Sequence, residues 1–291
     1  MDWLDSSLAW LQERHIPVRG HYLMWAPWES WSEKLRDDPA ALRARILGDL
    51  RKKLPVVGAR VCEWDAVNHP AGWSGDGGVE RVTGEGFFNE VFREARALSK
   101  LPMWINEDQM FRPGRQQDVY FNIIRQLKEK GDAPDGIGNM AHFHRSFVPG
   151  VPDMLAISDR FAALIPNLQI TEYDFMCEGD EELAADFTRD ILTMAFSHPA
   201  YTGFVTWGFW EGAHWRPESA LWAKDWTPRP SGRVWMDLVG REWSTRGTFK
   251  ADQQGRVAFR GFLGRYSVTT GGVATEMDLS KPGATATVRK P

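Results

Sequence analysis

A glutamate that ends one apolar run, Glu172 in "ITEYDF", and a histidine that ends another, His69 in "EWDAVNHP", are the two side chains of this sequence whose placement suits chemistry. A carboxylate at the end of a buried strand can attack an electrophilic carbon and hold it as a covalent ester. An imidazole in the same setting can give and take a proton near neutral pH. Glu107, after "WIN", is a second carboxylate able to act as an acid, while Glu63 and Asp65 lie deeper in the run that His69 ends. His21, Trp25, Asn68, His142, Trp207 and Trp215 stand in similar places, although a lone asparagine there is usually a turn residue and a lone histidine usually structural. His142 and His144 have the spacing of a metal pair, but no third ligand follows at motif distance, so neither a metal nor another cofactor is expected.

Composition narrows what these groups act on. The 291 residues include 15 Trp and 16 Phe against 5 Tyr, and indoles offer flat apolar faces that suit core packing and equally suit a cleft that stacks sugar rings. A net charge of −4, with no basic run, argues against a nucleic-acid partner. No run approaches the ~20 apolar residues that span a bilayer, so no membrane partner is expected, and residues 1–20 read as an amphipathic helix rather than a leader. Cys62 and Cys177 are too few for a framework and fit two free thiols as well as one disulfide.

The elements that must position these residues alternate. Leu4, Leu8 and Leu11 fall at helical spacing before "VRGHYLMW"; Leu42, Ile46 and Leu50 before "ARVCEWDAV"; Phe88, Phe92, Ala95 and Leu98 before "PMWIN". Tyr120, Ile123, Ile124 and Leu127 then precede "DGIGNMAHF", a helix near Met154 to Leu164 precedes "LQITEYDF", and Leu183, Phe187, Ile191 and Met194 precede "GFVTWGFW". Regular βα alternation predicts a parallel sheet covered by helices, with polar and aromatic residues at the C-terminal strand ends, which is where a (β/α)8 barrel keeps its active site. No G-x-G-x-x-G turn favours a doubly wound sheet instead. The pattern changes near Arg241, giving a barrel domain over 1–241 and a small antiparallel β unit over 242–291, built from "GTFKAD", "RVAFRGF", "RYSVTT" and "TATVRK". That unit reads as a structural flap, with carbohydrate binding as its other reading.

In order and spacing, "VRGHYLMW", "EWDAVNHP", "WINED", "IGNMAHF", "ITEYDF" and "TWGFWEGAHW" with "LWAKDWTPRP" resemble the motif series of the family ten glycoside hydrolases, the β-1,4-xylanases, over roughly residues 8 to 240. The resemblance implies a (β/α)8 barrel and a retaining hydrolase of β-1,4-linked xylan or a related polysaccharide, with Glu172 as nucleophile. It further implies that Asn68 bonds the sugar 2-hydroxyl, that His21 and His142 line the subsite at the scissile bond, and that Trp25, Trp207 and Trp215 wall it. An extracellular or periplasmic location goes with the resemblance.

Four departures from that pattern matter. His69 stands where the family has its acid/base glutamate, so the pair of carboxylates that retention ordinarily uses is incomplete. His69 is therefore expected to act as acid/base, with Glu107 as the relocated alternative. Met140 replaces a glutamine, and Ala26 replaces a histidine, so substrate contacts differ as well. Finally, residues 2 to 15 and 18 to 24 match the family's second helix and third strand, leaving the first two barrel strands without a counterpart. A longer chain, a partner chain, the C-terminal unit or a rearranged sheet is then needed to close the barrel. The competing expectation is a carbohydrate-binding relative that keeps the tryptophan walls and has lost catalysis.

Overall fold

The computed structural model describes residues 2–73 and 78–280. Its helices are α1 (Asp2–Glu13), α2 (Ser30–Glu33), α3 (Pro39–Val57), α4 (Glu80–Thr83), α5 (Phe87–Leu98), α6 (Arg115–Glu129), α7 (Val151–Ala162), α8 (Glu181–Ser197) and α9 (Pro230–Asp237). Apolar side chains at helical spacing turn one stripe of each long helix inward, as Phe88, Val91, Phe92 and Ala95 do in α5 and Tyr120, Ile123, Ile124 and Leu127 in α6. Starts are fixed by caps: Asp38 accepts from the Ala41 amide at 2.9 Å before α3, and Asp180 from the Leu183 amide at 3.1 Å before α8.

Between the helices run β1 (Arg19–Gly20), β2 (Met24–Trp25), β3 (Glu63–Asn68), β4 (Met103–Glu107), β5 (Gly136–Asn139), β6 (His142–His144), β7 (Leu168–Met176) and β8 (Tyr201–Thr206). All pairings among them are parallel. β1 and β2 both pair with β3, and Leu23 N still donates to Asp65 O at 2.8 Å, so they are two pieces of one barrel strand. β5 and β6 both pair with β7 and form another, interrupted at Met140 and Ala141, where Ala141 takes a φ of +63°. The described residues thus supply six barrel strands, ordered β1/β2, β3, β4, β5/β6, β7, β8, where a closed (β/α)8 barrel has eight.

The sheet is strongly curled. β1 and β7 are four strands apart, which in a flat sheet would be about 19 Å at ~4.8 Å per strand. Arg19 of β1 nevertheless donates to Gln169 Oε1 of β7 at 2.9 Å. Strand ends far apart along the sheet are therefore neighbours across the lumen. β1 and β8 are left as the outer strands, and β8 accordingly exposes Thr202 and Val205.

The tail carries the small antiparallel sheet that the change of pattern predicts, built from fewer of the expected segments. β9 (Gly264–Thr270) pairs with β10 (Val273–Leu279) across the turn at Gly271 and Gly272, both at positive φ. "RYSVTT" is thus a strand, but "GTFKAD" and "RVAFRGF" form no ladder and meet through Phe249 stacked on Phe259 and the Asp252 amide donating to Arg256 O, while "TATVRK" lies outside the described residues. Alternation fits a pleated surface only where a neighbouring strand exists to complete the ladder. The stretch leading to the hairpin packs on α8 instead: Trp243 stacks on Phe196 at 4.0 Å and Phe262 meets the same ring at 5.4 Å. Cys62 and Cys177 are free thiols, the first exposed and the second buried.

Candidate active site

β7 is buried along nearly all its length, and Glu172 sits on it with only 4% of its surface exposed. A carboxylate this deep stays ionised only with donors around it. Asn106 Nδ2, from β4, donates to Glu172 Oε1 at 2.8 Å; His142 Nε2 lies 3.3 Å from Oε2, and His21 Nδ1 3.8 Å from Oε1. The Asn106 amide also donates to Asn68 Oδ1 at 2.9 Å, so one side chain ties the end of β3 to Glu172 on β7. Thr171 Oγ1 donates to Asn106 Oδ1 at 2.7 Å and fixes the amide's orientation. Gly138 makes room for it, because a Cβ there would fall 2.3 Å from Asn106 Oδ1.

Two buried acids anchor the imidazoles. Asp174, two residues beyond Glu172 and on the same strand face, lies 3.1 Å from His142 Nδ1 as an ion pair rather than a directed hydrogen bond, and accepts from Trp215 Nε1 at 2.6 Å. Burial pulls the His142 pKa down, but the carboxylates of Asp174 and Glu172 outweigh it and raise it to about 9. His142 is therefore an imidazolium at neutral pH. On the other side, Asp65 is 3.0 Å from His21 Nδ1 and is gripped by Arg19 through Nε at 3.0 Å and Nη2 at 2.5 Å. Burial opposes ionisation of Asp65, yet the bonds from His21 and Arg19 hold its pKa below the ordinary carboxylate value. Glu63 pairs with the same guanidinium at 2.6 Å, so both acids that lie deep in the His69 strand are committed to Arg19.

His69 ends β3 in the left-handed region, at φ +53°, a conformation uncommon for a residue with a Cβ and often found at functional sites. Its Nδ1 lies 3.2 Å from Glu107 Oε1. Glu107 is 1% exposed and also accepts from the Ala71 and Asp108 amides, each at 2.9 Å, so it stands behind His69 with both oxygens occupied. The indoles of Trp25 and Trp73 flank the imidazole, the first at a near-perpendicular angle and the second tilted, with centroids 4.7 and 4.5 Å away.

All nine residues singled out in the sequence fall into one contact network. His21 touches Trp207 at 5.3 Å and Tyr22 at 5.0 Å; Tyr22 leads to Trp25 at 5.3 Å and so to His69 and Glu107. His142 meets Trp215 at 5.2 Å and Trp207 at 6.2 Å, and Asn68 joins through Asn106. His144 is outside the network and engages Ser146 and Glu178, so the two histidines do not act as a pair; no group of three metal-ligating side chains gathers among the described residues. Asp174 and Trp73 complete the site without being singled out in advance, and Asn106, beside Glu107 at the end of "WIN", and Asp65, deep in the His69 run, join it. Asp174 had a signal in its two-residue offset from Glu172. Trp73 had none, because only the turn closed by Gly72 N to His69 O at 2.9 Å folds it back.

A curled parallel sheet with a buried glutamate, flanking imidazoles and exposed indoles on one side has the make-up of a barrel-type glycosidase scaffold. The glycosyl hydrolase family 10 model matches residues 3–237, and the chain belongs to that family. Anti-sigma-I factor RsgI6 of Acetivibrio thermocellus is 31% identical over 92% of this chain and 34% of its own length. Endo-1,4-beta-xylanase 2 of Arabidopsis thaliana is 25% identical over 91% of this chain and 25% of its own. The chain thus spans about a third or less of these curated relatives. Native xylanase 10B from Thermotoga maritima superposes with a TM-score of 0.73 at 21% identity, covering 82% of this chain and 79% of that one, which establishes the shared fold. Among the described residues no helix is long and apolar enough to cross a membrane.

Proposed function

We propose that this chain hydrolyses β-1,4-linked xylan or a closely related polysaccharide with retention, using Glu172 as nucleophile and His69 as acid/base, with residues 1–241 as the catalytic unit. The observation that carries the reading is the cage of Asn106, His142 and His21 around the Glu172 carboxylate at the strand ends. A binding protein has no need to keep an anion there. In the first step Glu172 attacks the anomeric carbon and a proton on His69 passes to the departing glycosidic oxygen as the C–O bond breaks. In the second, neutral His69 takes a proton from water, whose oxygen displaces Glu172 from the same carbon.

Glu107 supports this assignment as a positioning residue. A carboxylate facing Nδ1 keeps the proton on that nitrogen and leaves Nε2 to exchange protons with substrate and water. Asn68, whose carbonyl accepts from Asn106, keeps its amide N–H groups for the sugar 2-hydroxyl. Trp207 and Trp215, 38% and 56% exposed, offer rings for the sugars, as does Trp25 beside His69. Turnover is measured on xylan and on an aryl xyloside with a good leaving group, then repeated with Glu172→Gln. Activity on both that vanishes in the variant is expected. Binding without turnover on either substrate would mark a carbohydrate-binding relative and overturn the enzymatic reading.

A further inference from the structure

The loop after β8 builds a second aromatic surface that neither the proposed reaction nor the core uses. Trp226 and Trp210 lie face to face, with centroids 5.3 Å apart and 9° between their planes. Trp210 also lies against Gly212, where a Cβ would come within 2.2 Å of the indole, and its Nε1 donates to Lys224 O at 3.2 Å. A tight turn fixes Trp226: its amide donates to Ala223 O and the Ala223 amide to Thr227 O, both at 2.9 Å, while the Asp225 carboxylate accepts from the Thr227 amide at 2.9 Å. Trp226 itself takes a φ of +67°, which a bulky side chain adopts only when its surroundings impose it.

All this order serves a ring that is not buried. Trp226 is 58% exposed, and Phe209, 6.2 Å from it, is 50% exposed. A tryptophan ordinarily stabilises a fold by leaving water, and this one is instead held rigid in water with its conformational freedom already lost. A flat, pre-ordered aromatic face edged by Lys224 and Asp225 matches a sugar ring, whose C–H face stacks and whose hydroxyls reach the polar rim.

We propose that the Trp226–Trp210 stack is a polysaccharide-binding platform outside the cleft, taking an internal stretch of the same β-linked chain that the cleft cleaves. The proposal rests on the polysaccharide reading of the active site. Its test is affinity electrophoresis in gels containing soluble arabinoxylan, with Glu172→Gln as the parent so that the glycan stays intact. Adding Trp226→Ala is expected to weaken retardation about fivefold, the scale of one lost aromatic stack. Trp226→Leu, which keeps apolar volume against Trp210 without a flat face, is expected to do the same, and settles the matter if the alanine variant fails to fold. With Glu172 intact, Trp226→Ala leaves turnover of an aryl xyloside unchanged. Retardation that survives both Trp226 variants but disappears in Trp215→Ala overturns the platform and leaves the substrate reading standing. No retardation of any variant, the parent included, removes the substrate reading and the platform's ligand together. Self-association that depends on Trp226, without retardation, makes the surface a protein interface and also overturns the proposal.

Discussion

Glu172 lies midway along β7 and His69 directly after β3, and the two banks of the cleft hold them by different means. Around Glu172 stand an amide, an imidazolium and a second imidazole, each backed by a further buried group in Thr171, Asp174 or Asp65. Around His69, among the described residues, stand the Glu107 carboxylate and the indoles of Trp25 and Trp73. The difference teaches what each group needs. An anion in a low-dielectric setting must be surrounded by donors, whereas an imidazole that is neutral for half of a catalytic cycle tolerates apolar walls and needs only one partner to fix its tautomer. In the proposed mechanism the family's acid position is refitted for a different acid, while the nucleophile's bank keeps its donors.

The sharpest way to break this contrast is to remove the anion. Glu172→Gln keeps the volume but not the nucleophile, and kcat on an aryl xyloside is expected to fall by about 10⁴-fold in steady-state assays, with folding unchanged by circular dichroism. His69→Ala removes the proton donor only. Its expected cost is about 10²- to 10⁴-fold on xylan, measured by release of reducing ends. Glu107→Gln leaves the imidazole in place but unanchored, and a loss of about 10- to 100-fold in kcat, with KM little changed, is expected.

The smallest effect is on stability and follows from His142. Its folded pKa of about 9 lies above the ordinary value of 6.5, so the stabilisation is complete below about pH 6.5 and is lost as the pH rises through 9. The difference in unfolding free energy between the wild-type protein and His142→Gln is therefore expected to shrink by at most about 3 kcal/mol between pH 6.5 and 10, read from denaturant melts. A constant difference across that range would show that Asp174 and Glu172 do not hold the proton on His142.

Much of this arrangement is legible in the sequence because it is local. Period-two and period-3.6 patterns mark which residues end strands, and strand ends of a parallel barrel converge by geometry alone, so Glu172, Asn68, His142 and Trp207 can be grouped before any coordinates exist. What the sequence hides is pairing across the lumen. Nothing about Asn106 announces that one amide will bridge Asn68 and Glu172, or that Arg19 will take up both Glu63 and Asp65, because those contacts depend on the curl of the sheet. The tail is misleading for the converse reason: "RVAFRGF" has a strand's alternation, but its contacts are made mainly by side chains and its backbone forms no ladder.

Proton donation by His69 is tested most directly by kcat/KM over a series of aryl xylosides whose leaving phenols run from strongly to weakly acidic. The wild-type protein is expected to show a shallow dependence on leaving-group acidity and His69→Ala a steep one, converging at the most acidic phenol, where no proton is needed. Equal slopes for the two proteins would contradict the account, because the departing oxygen would then receive its proton from somewhere other than His69.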